Sequence, residues 1–201
     1  MRVVAGTHGG RRLVTPAGDA TRPTTDRVRE AVFNALVSGG WVDGDAVADL
    51  FAGSGALGIE ALSRGATTCW FVDDGAAARS SIATNLDALD LGDRSEIIAA
   101  ALPDAVAGLP DGLGVVFADP PYAFDRWPEL LEPLVGHLAA DGVLVVESDR
   151  AIALPEPWEK MRERSYGGTV ITFATVADNH HTSNIDHTSH GRQGPAEGVN
   201  A

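Results

Sequence analysis

The chain of 201 residues has a single cysteine, Cys69, and a single lysine, Lys160. A lone cysteine excludes an internal disulfide and a metal centre built from cysteines alone, and no metal site is expected. No apolar run approaches the roughly 20 residues that a membrane helix needs, so no membrane partner is expected. The opening Met1–Gly6 lacks the apolar stretch of a signal peptide, and a cytoplasmic location is expected. Positive charge is also scarce: 15 basic residues face 28 acidic ones, a net charge of −13. Such a balance argues against binding to a phosphate backbone, which wants Lys and Arg. The distribution softens the argument. Residues 1–30 hold six arginines against three acids, a net of +3, so the rest carries −16. Taken by itself, this charge reads most simply as a solvated basic start.

What is present is the pattern of an α/β protein. Hydrophobic residues make up 44% of the chain and glycine is abundant. Residues 2–5 and 12–15 read as two short strands of a hairpin with basic residues at its turn. Thr24 or Thr25 suits an N-cap before a helix from Asp26, whose Val28, Val32, Phe33 and Leu36 share one face; Gly39-Gly40 stops it. Strands are predicted over 46–51, 68–72, 96–99, 115–118 and 143–147, and helices over 57–64, 76–89 and 127–139. Near-continuous apolar strands separated by helices imply a parallel sheet covered on both faces. Residues 161–166 and 169–176, on either side of Gly167-Gly168, read as a terminal antiparallel hairpin. From about Asp178 the chain turns polar and histidine-containing, and a disordered tail over 178–201 is expected.

The first strand runs into Asp49-Leu50-Phe51-Ala52-Gly53-Ser54-Gly55-Ala56-Leu57-Gly58. Gly53 and Gly55 let the backbone turn tightly and let a ligand lie against it at the C-terminal edge of the sheet. Asp73 and Asp74 end the second strand, where a carboxylate can accept hydrogen bonds from a ribose diol. The same spacing satisfies a dinucleotide fingerprint, so the glycines alone do not separate S-adenosylmethionine (SAM) from NAD, nor either from a plain turn. Asp49 leans towards SAM, because a carboxylate suits an ammonium and a sulfonium but repels a pyrophosphate.

Asp119-Pro120-Pro121-Tyr122 directly follows the fourth strand. An exocyclic amine on a nucleobase is a poor nucleophile, since its lone pair is delocalised into the ring. The Asp119 carboxylate and the Pro120 carbonyl can each accept one amine N–H, aiming the lone pair at a methyl donor and stabilising the developing charge. Pro120 and Pro121 fix φ and keep the acceptors rigid. Tyr122 offers a face on which a flipped base can stack. Cys69 lies inside a predicted strand, away from this loop, and so does not suit the cysteine-dependent chemistry of pyrimidine carbon-5 methylation.

These segments together resemble the class I SAM-dependent methyltransferases, and more narrowly the RsmD family of small-subunit (16S) rRNA guanine-N2 methyltransferases. Residues 22–30 (Arg22-Pro23-Thr24-Thr25-Asp26-Arg27-Val28-Arg29-Glu30), 49–66 and 119–122 carry the resemblance, joined by Arg2–Leu13. It implies a Rossmann-like seven-stranded sheet ordered 3-2-1-4-5-7-6, behind a hairpin that touches RNA. The division implied is 1–20 for the hairpin and 21–177 for the methyltransferase domain. The implied SAM site is Thr25, Asp49, Phe51, Gly53, Gly55, Asp73 and Asp74, with the adenine near Ala101 and Leu102. The implied RNA contacts are Arg2, Arg11, Arg12, Arg22, Arg27 and Arg29. The partner is then rRNA or the small ribosomal subunit, and a monomer is expected. Gly75 and Ala99-Ala100-Ala101 depart from the family, which often has polar residues there. Three other functions fit parts of the pattern: a DNA adenine-N6 methyltransferase, an NAD-dependent oxidoreductase, and an RNA-binding module without catalysis.

Overall fold

The computed structural model describes residues 1–16 and 26–177. Its sheet has seven strands: β1 (Ala46–Leu50), β2 (Thr68–Val72), β3 (Ser95–Ile98), β4 (Leu113–Ala118), β5 (Leu138–Ser148), β6 (Trp158–Tyr166) and β7 (Thr169–Val176). Their order is β3-β2-β1-β4-β5-β7-β6. The first five pair in parallel, while β7 runs antiparallel to both β5 and β6. This is the expected sheet, in the expected order.

Both faces are covered, which is why the strands are apolar throughout; every residue of β4 is buried. On one face lie α1 (Asp26–Ser38), α2 (Ala56–Ser63) and α3 (Ala76–Leu89), burying Phe33, Ile59, Leu62 and Ile82 with Phe71 and Phe117 of the sheet. The other face is covered by α4 (Trp127–Leu134) and a short 3-10 turn at Asp104–Gly108. Gly58 of α2 sits so close to β2 that an added Cβ would lie 2.4 Å from the Phe71 ring and 2.5 Å from Cys69 Sγ. The third glycine of the loop therefore serves helix–strand packing rather than ligand contact.

Two elements differ from the sequence reading. The predicted helix over 127–139 stops at Leu134, with Pro133 inside its last turn, and β5 begins at Leu138. Leu138 pairs with Leu113 of β4, and a register irregularity between Leu113 and Val115 lets the strand start early. Val135, Gly136 and His137 are poor helix formers, so the helix ends before them and the chain enters β5. The N-terminal strands also do not form a regular ladder: residues 1–16 make one bridge, Arg2 to Arg12, within a hairpin-like turn. The reason lies in where the backbone donors go. Val4 and Ala5 N–H donate to the Glu60 carboxylate at 2.6 and 3.0 Å, and Val14 N–H donates to Asn85 Oδ1 at 2.7 Å. The turn is thus bonded to α2 and α3, and Val3 and Leu13 enter the same core as α1. The tail over 178–201, Arg22 and the capping threonines lie outside the described residues.

Candidate active site

The site forms where β1, β2, β4 and β5 end. Asp49 is buried in β1, and its Oδ2 accepts the Gly58 N–H at 2.8 Å, which ties the strand to the helix after the loop. Phe51 turns the chain with φ 59°, a left-handed value unusual for a bulky residue, and Gly53 and Gly55 follow with φ 56° and 76°. An added Cβ at Gly53 would meet nothing nearer than the Phe51 carbonyl at 3.9 Å, so this face of the loop is open. Asp73, at the end of β2, accepts the Gly53 N–H through one oxygen and the Gly75 N–H through the other, both at 2.8 Å. It shapes the loop and retains further lone pairs for a diol. Asp74 is exposed, Ala101 is exposed and Leu102 half-buried.

The fourth strand delivers the second half of the site. Leu50 of β1 pairs with Ala118 of β4, and the next residue, Asp119, donates its N–H to the Leu50 carbonyl. Asp119 therefore starts its loop directly beside the glycine turn. The two loops are also stapled by rings: Phe51 packs edge-on against Phe124 at 5.2 Å, and Phe124 against Trp127 at 5.1 Å. Phe124 N–H closes the turn onto the Pro121 carbonyl at 2.8 Å. Pro120 is buried, Pro121 exposed, and Tyr122 is 47% exposed beside a cleft that Trp127 and Arg150 also line.

Electrostatics distinguish this corner from a phosphate site. Burial raises the Asp49 carboxyl from an ordinary 3.8 to about 7; the Gly58 N–H opposes the rise and the charge of Asp73 adds to it. Burial also raises the Asp119 carboxyl well above the ordinary carboxylate range, helped by the nearby charges of Glu147 and Asp49. Glu147 is buried on β5, one residue past the Ala118–Val146 pair. A set of desolvated acids is relieved by a cationic ligand and opposed by a pyrophosphate.

The raised value of Asp49 means the folded state holds its proton more tightly than the unfolded chain does. The resulting stability is full below about pH 4 and is lost as pH rises through about 7. Asp49→Asn keeps an acceptor for Gly58 and removes the charge. The variant should melt higher than wild type at pH 8 and lose affinity for a cationic ligand. A lower melting temperature at pH 8 would contradict this account of Asp49.

The structure places the predicted arginines in different settings. Arg11 and Arg12 are exposed on the turn, although one Arg11 nitrogen donates to the Ala88 carbonyl at 3.0 Å. Arg2 is exposed and lies 3.4 Å from Asp26; Arg27 is exposed on α1. Arg29 is a correction. It is fully buried, donates to the Arg2 carbonyl and to Asp26 at 2.9 Å, and lies 3.8 Å from Glu60. It holds the N-terminal turn to the core and offers nothing to RNA. Thr25 and Arg22 lie outside the described residues. Sequence reasoning missed Glu60, Glu147, Asp149 and Arg150. The signal for the first two was an acid embedded in an apolar run.

The sequence profile of the family described as conserved hypothetical protein 95 matches residues 1–175. The YlbH protein of Bacillus subtilis (strain 168) is 41% identical over 181 residues, covering 86% of this chain and 97% of its own. The ribosomal RNA small subunit methyltransferase D of Escherichia coli (strain K12) is 36% identical over 173 residues, covering 83% and 85%. The solved structure of the yhhF protein from Escherichia coli superposes with a TM-score of 0.78 at 31% identity, covering 88% and 97%. The strand order and the paired loops at its edge define a class I methyltransferase fold. Within that class, the chain belongs to the RsmD family.

Proposed function

We propose that this protein transfers the methyl group of SAM to the exocyclic N2 amine of a guanine in small-subunit rRNA, acting as a monomer in the cytoplasm. The observation that carries the reading is the seating of Asp119 against Leu50, beside the open glycine turn and next to an aromatic cleft. Asp49, Phe51, Gly53, Gly55 and Asp73 are the residues that would hold SAM, with Asp74, Ala101 and Leu102 at its rim. Their acidic, desolvated character suits a cofactor that supplies an electrophilic methyl on a positively charged sulfur. Asp119 and Pro120 accept the two amine N–H groups and turn the nitrogen lone pair outwards. Tyr122 stacks on the base, and Phe51 and Phe124 keep the two loops in register while the base is held. Excluding water from the amine preserves the strength of both hydrogen bonds.

Arg2, Arg11, Arg12 and Arg27 would bind RNA phosphate, on a surface whose remainder is acidic. Arg11→Ala combined with Arg12→Ala should weaken RNA binding and flatten the slope of log affinity against log salt by about 1–2. An unchanged slope removes the turn from the interface. The DNA adenine-N6 alternative needs the same amine chemistry, but the curated relatives are named for ribosomal RNA. Labelled SAM offered with unmodified small-subunit rRNA and, separately, with DNA tests the reading. Label in the RNA alone supports it; label in DNA alone overturns it.

A further inference from the structure

The cleft beside the Asp119 loop carries two charged side chains that methyl transfer as described does not use. It is lined by Pro120, Pro121, Tyr122, Trp127, Asp149 and Arg150. Asp119 immediately follows β4 and Asp149 immediately follows β5, and Ala118 pairs with Val146. The two loops thus leave neighbouring parallel strands at the same edge, laterally one strand spacing apart, about 4.8 Å, with β5 running two residues further than β4 before its loop begins. Arg150 Nη1 donates to Asp149 Oδ1 at 2.8 Å and to the Tyr122 carbonyl at 3.4 Å, so it also braces the stacking residue. The Ser148 hydroxyl donates to the Arg150 carbonyl at 2.6 Å and fixes the turn that presents both heads. The two side chains remain 37% and 56% exposed, and a carboxylate and a guanidinium with so few partners retain acceptors and donors to spare.

A guanine presents its N2 amine, its N1–H and its O6 carbonyl in a row along one edge. We propose that Asp149 and Arg150 determine base specificity: the Asp149 carboxylate accepts the N1–H and the Arg150 guanidinium donates to O6, while N2 rests between Asp119 and Pro120. The order of groups along the base edge then follows the order of loops along the sheet edge. An adenine in the same pose would set its bare N1 against a carboxylate and its amine against a guanidinium. Two acceptors would face each other, and so would two donors. The bland alternative is a solvent-exposed ion pair between neighbours, which contributes little to stability. For that reason its removal leaves the fold intact and the test clean. The inference rests on the guanine-N2 reading and extends it to the choice of base.

The test uses the full chain and an RNA fragment bearing the target nucleotide, once mapped, as guanine or as 2,6-diaminopurine. The analogue keeps the N2 amine but carries a bare N1 and a 6-amine. Wild type should favour guanine by about 100-fold in kcat/KM, the discrimination that well-placed polar pairs provide. Asp149→Asn and Arg150→Ala should each shrink that preference to about tenfold or less, with SAM affinity and melting temperature unchanged. A residue that merely braces the Tyr122 loop would slow both RNAs equally and leave their ratio alone. A wild-type ratio in both variants overturns the proposal, as does a wild type that accepts both bases equally. Absence of N2 methylation on the guanine fragment would mark failure of the underlying reading instead, and the proposal would fall with it.

Discussion

Asp119→Ala should slow methyl transfer by about two to three orders of magnitude while leaving SAM affinity within about twofold of wild type. The amine nitrogen has no useful lone pair until its two hydrogens are held out of the ring plane, and positive charge grows on it as the methyl arrives. The interaction with Asp119 strengthens as that charge develops, so its loss falls on the transition state rather than on ground-state binding. Asp119→Asn keeps one carbonyl acceptor but loses the charge, and should fall between the two. The pH dependence has a definite sign. Burial, with Glu147 and Asp49 nearby, makes Asp119 hold its proton more tightly than an ordinary carboxyl. Protonated, it is a poorer acceptor for the amine, so the rate should rise with pH and the rise should vanish in Asp119→Ala. Single-turnover rates at saturating SAM check both points. Rates for Asp119→Ala within a few-fold of wild type would refute the role.

Glu60→Ala should destabilise the fold strongly. Glu60 is fully buried, and its carboxylate gathers Val4 N–H, Ala5 N–H, the Arg64 guanidinium at 2.7 Å and Arg29 at 3.8 Å. Truncating it leaves two backbone donors and the Arg64 guanidinium without their acceptor, and leaves the fully buried Arg29 with Asp26 as its remaining anion. Breaking a buried pair from one side costs about 3–5 kcal/mol, a large part of the 5–15 kcal/mol that typically holds a domain together. A drop in melting temperature of roughly 6–20 °C is expected for a chain of this size. The same change frees the N-terminal turn, so RNA binding should weaken even below the transition. Glu60→Gln keeps one carbonyl acceptor for the two backbone donors and should cost less than Glu60→Ala. Thermal melts of the three proteins decide the matter; a Glu60→Ala protein that melts like wild type would contradict the anchoring role.

The sheet was legible because burial on both faces forces apolar strands, and β4 is one such run. The terminal antiparallel pair was legible from Gly167-Gly168 between two strand-like segments. The end of α4 was legible only in part: Pro133 and Gly136 are stop signals inside the helix predicted over 127–139, but the entry of Leu138 into β5 rests on its pairing with Leu113. The cofactor and amine loops were legible as motifs, but their adjacency rests on the register of Leu50 with Ala118, which no local pattern encodes. The burial of Arg29 is encoded in the period of its helix. Arg29 stands three, four and seven residues before Val32, Phe33 and Leu36, on the buried face of its helix. Reading the arginines as one basic segment hid that periodicity. Asp149 and Arg150 gave no signal because an acid and a base after a strand look like any solvated turn.

The most direct measurement is nucleoside analysis by mass spectrometry of small-subunit RNA incubated with the protein and SAM. The account predicts one new N2-methylguanosine, formed by wild type and strongly reduced with Asp119→Ala. A product of N6-methyladenosine, or of any nucleoside methylated on a ring atom rather than an exocyclic amine, would contradict it.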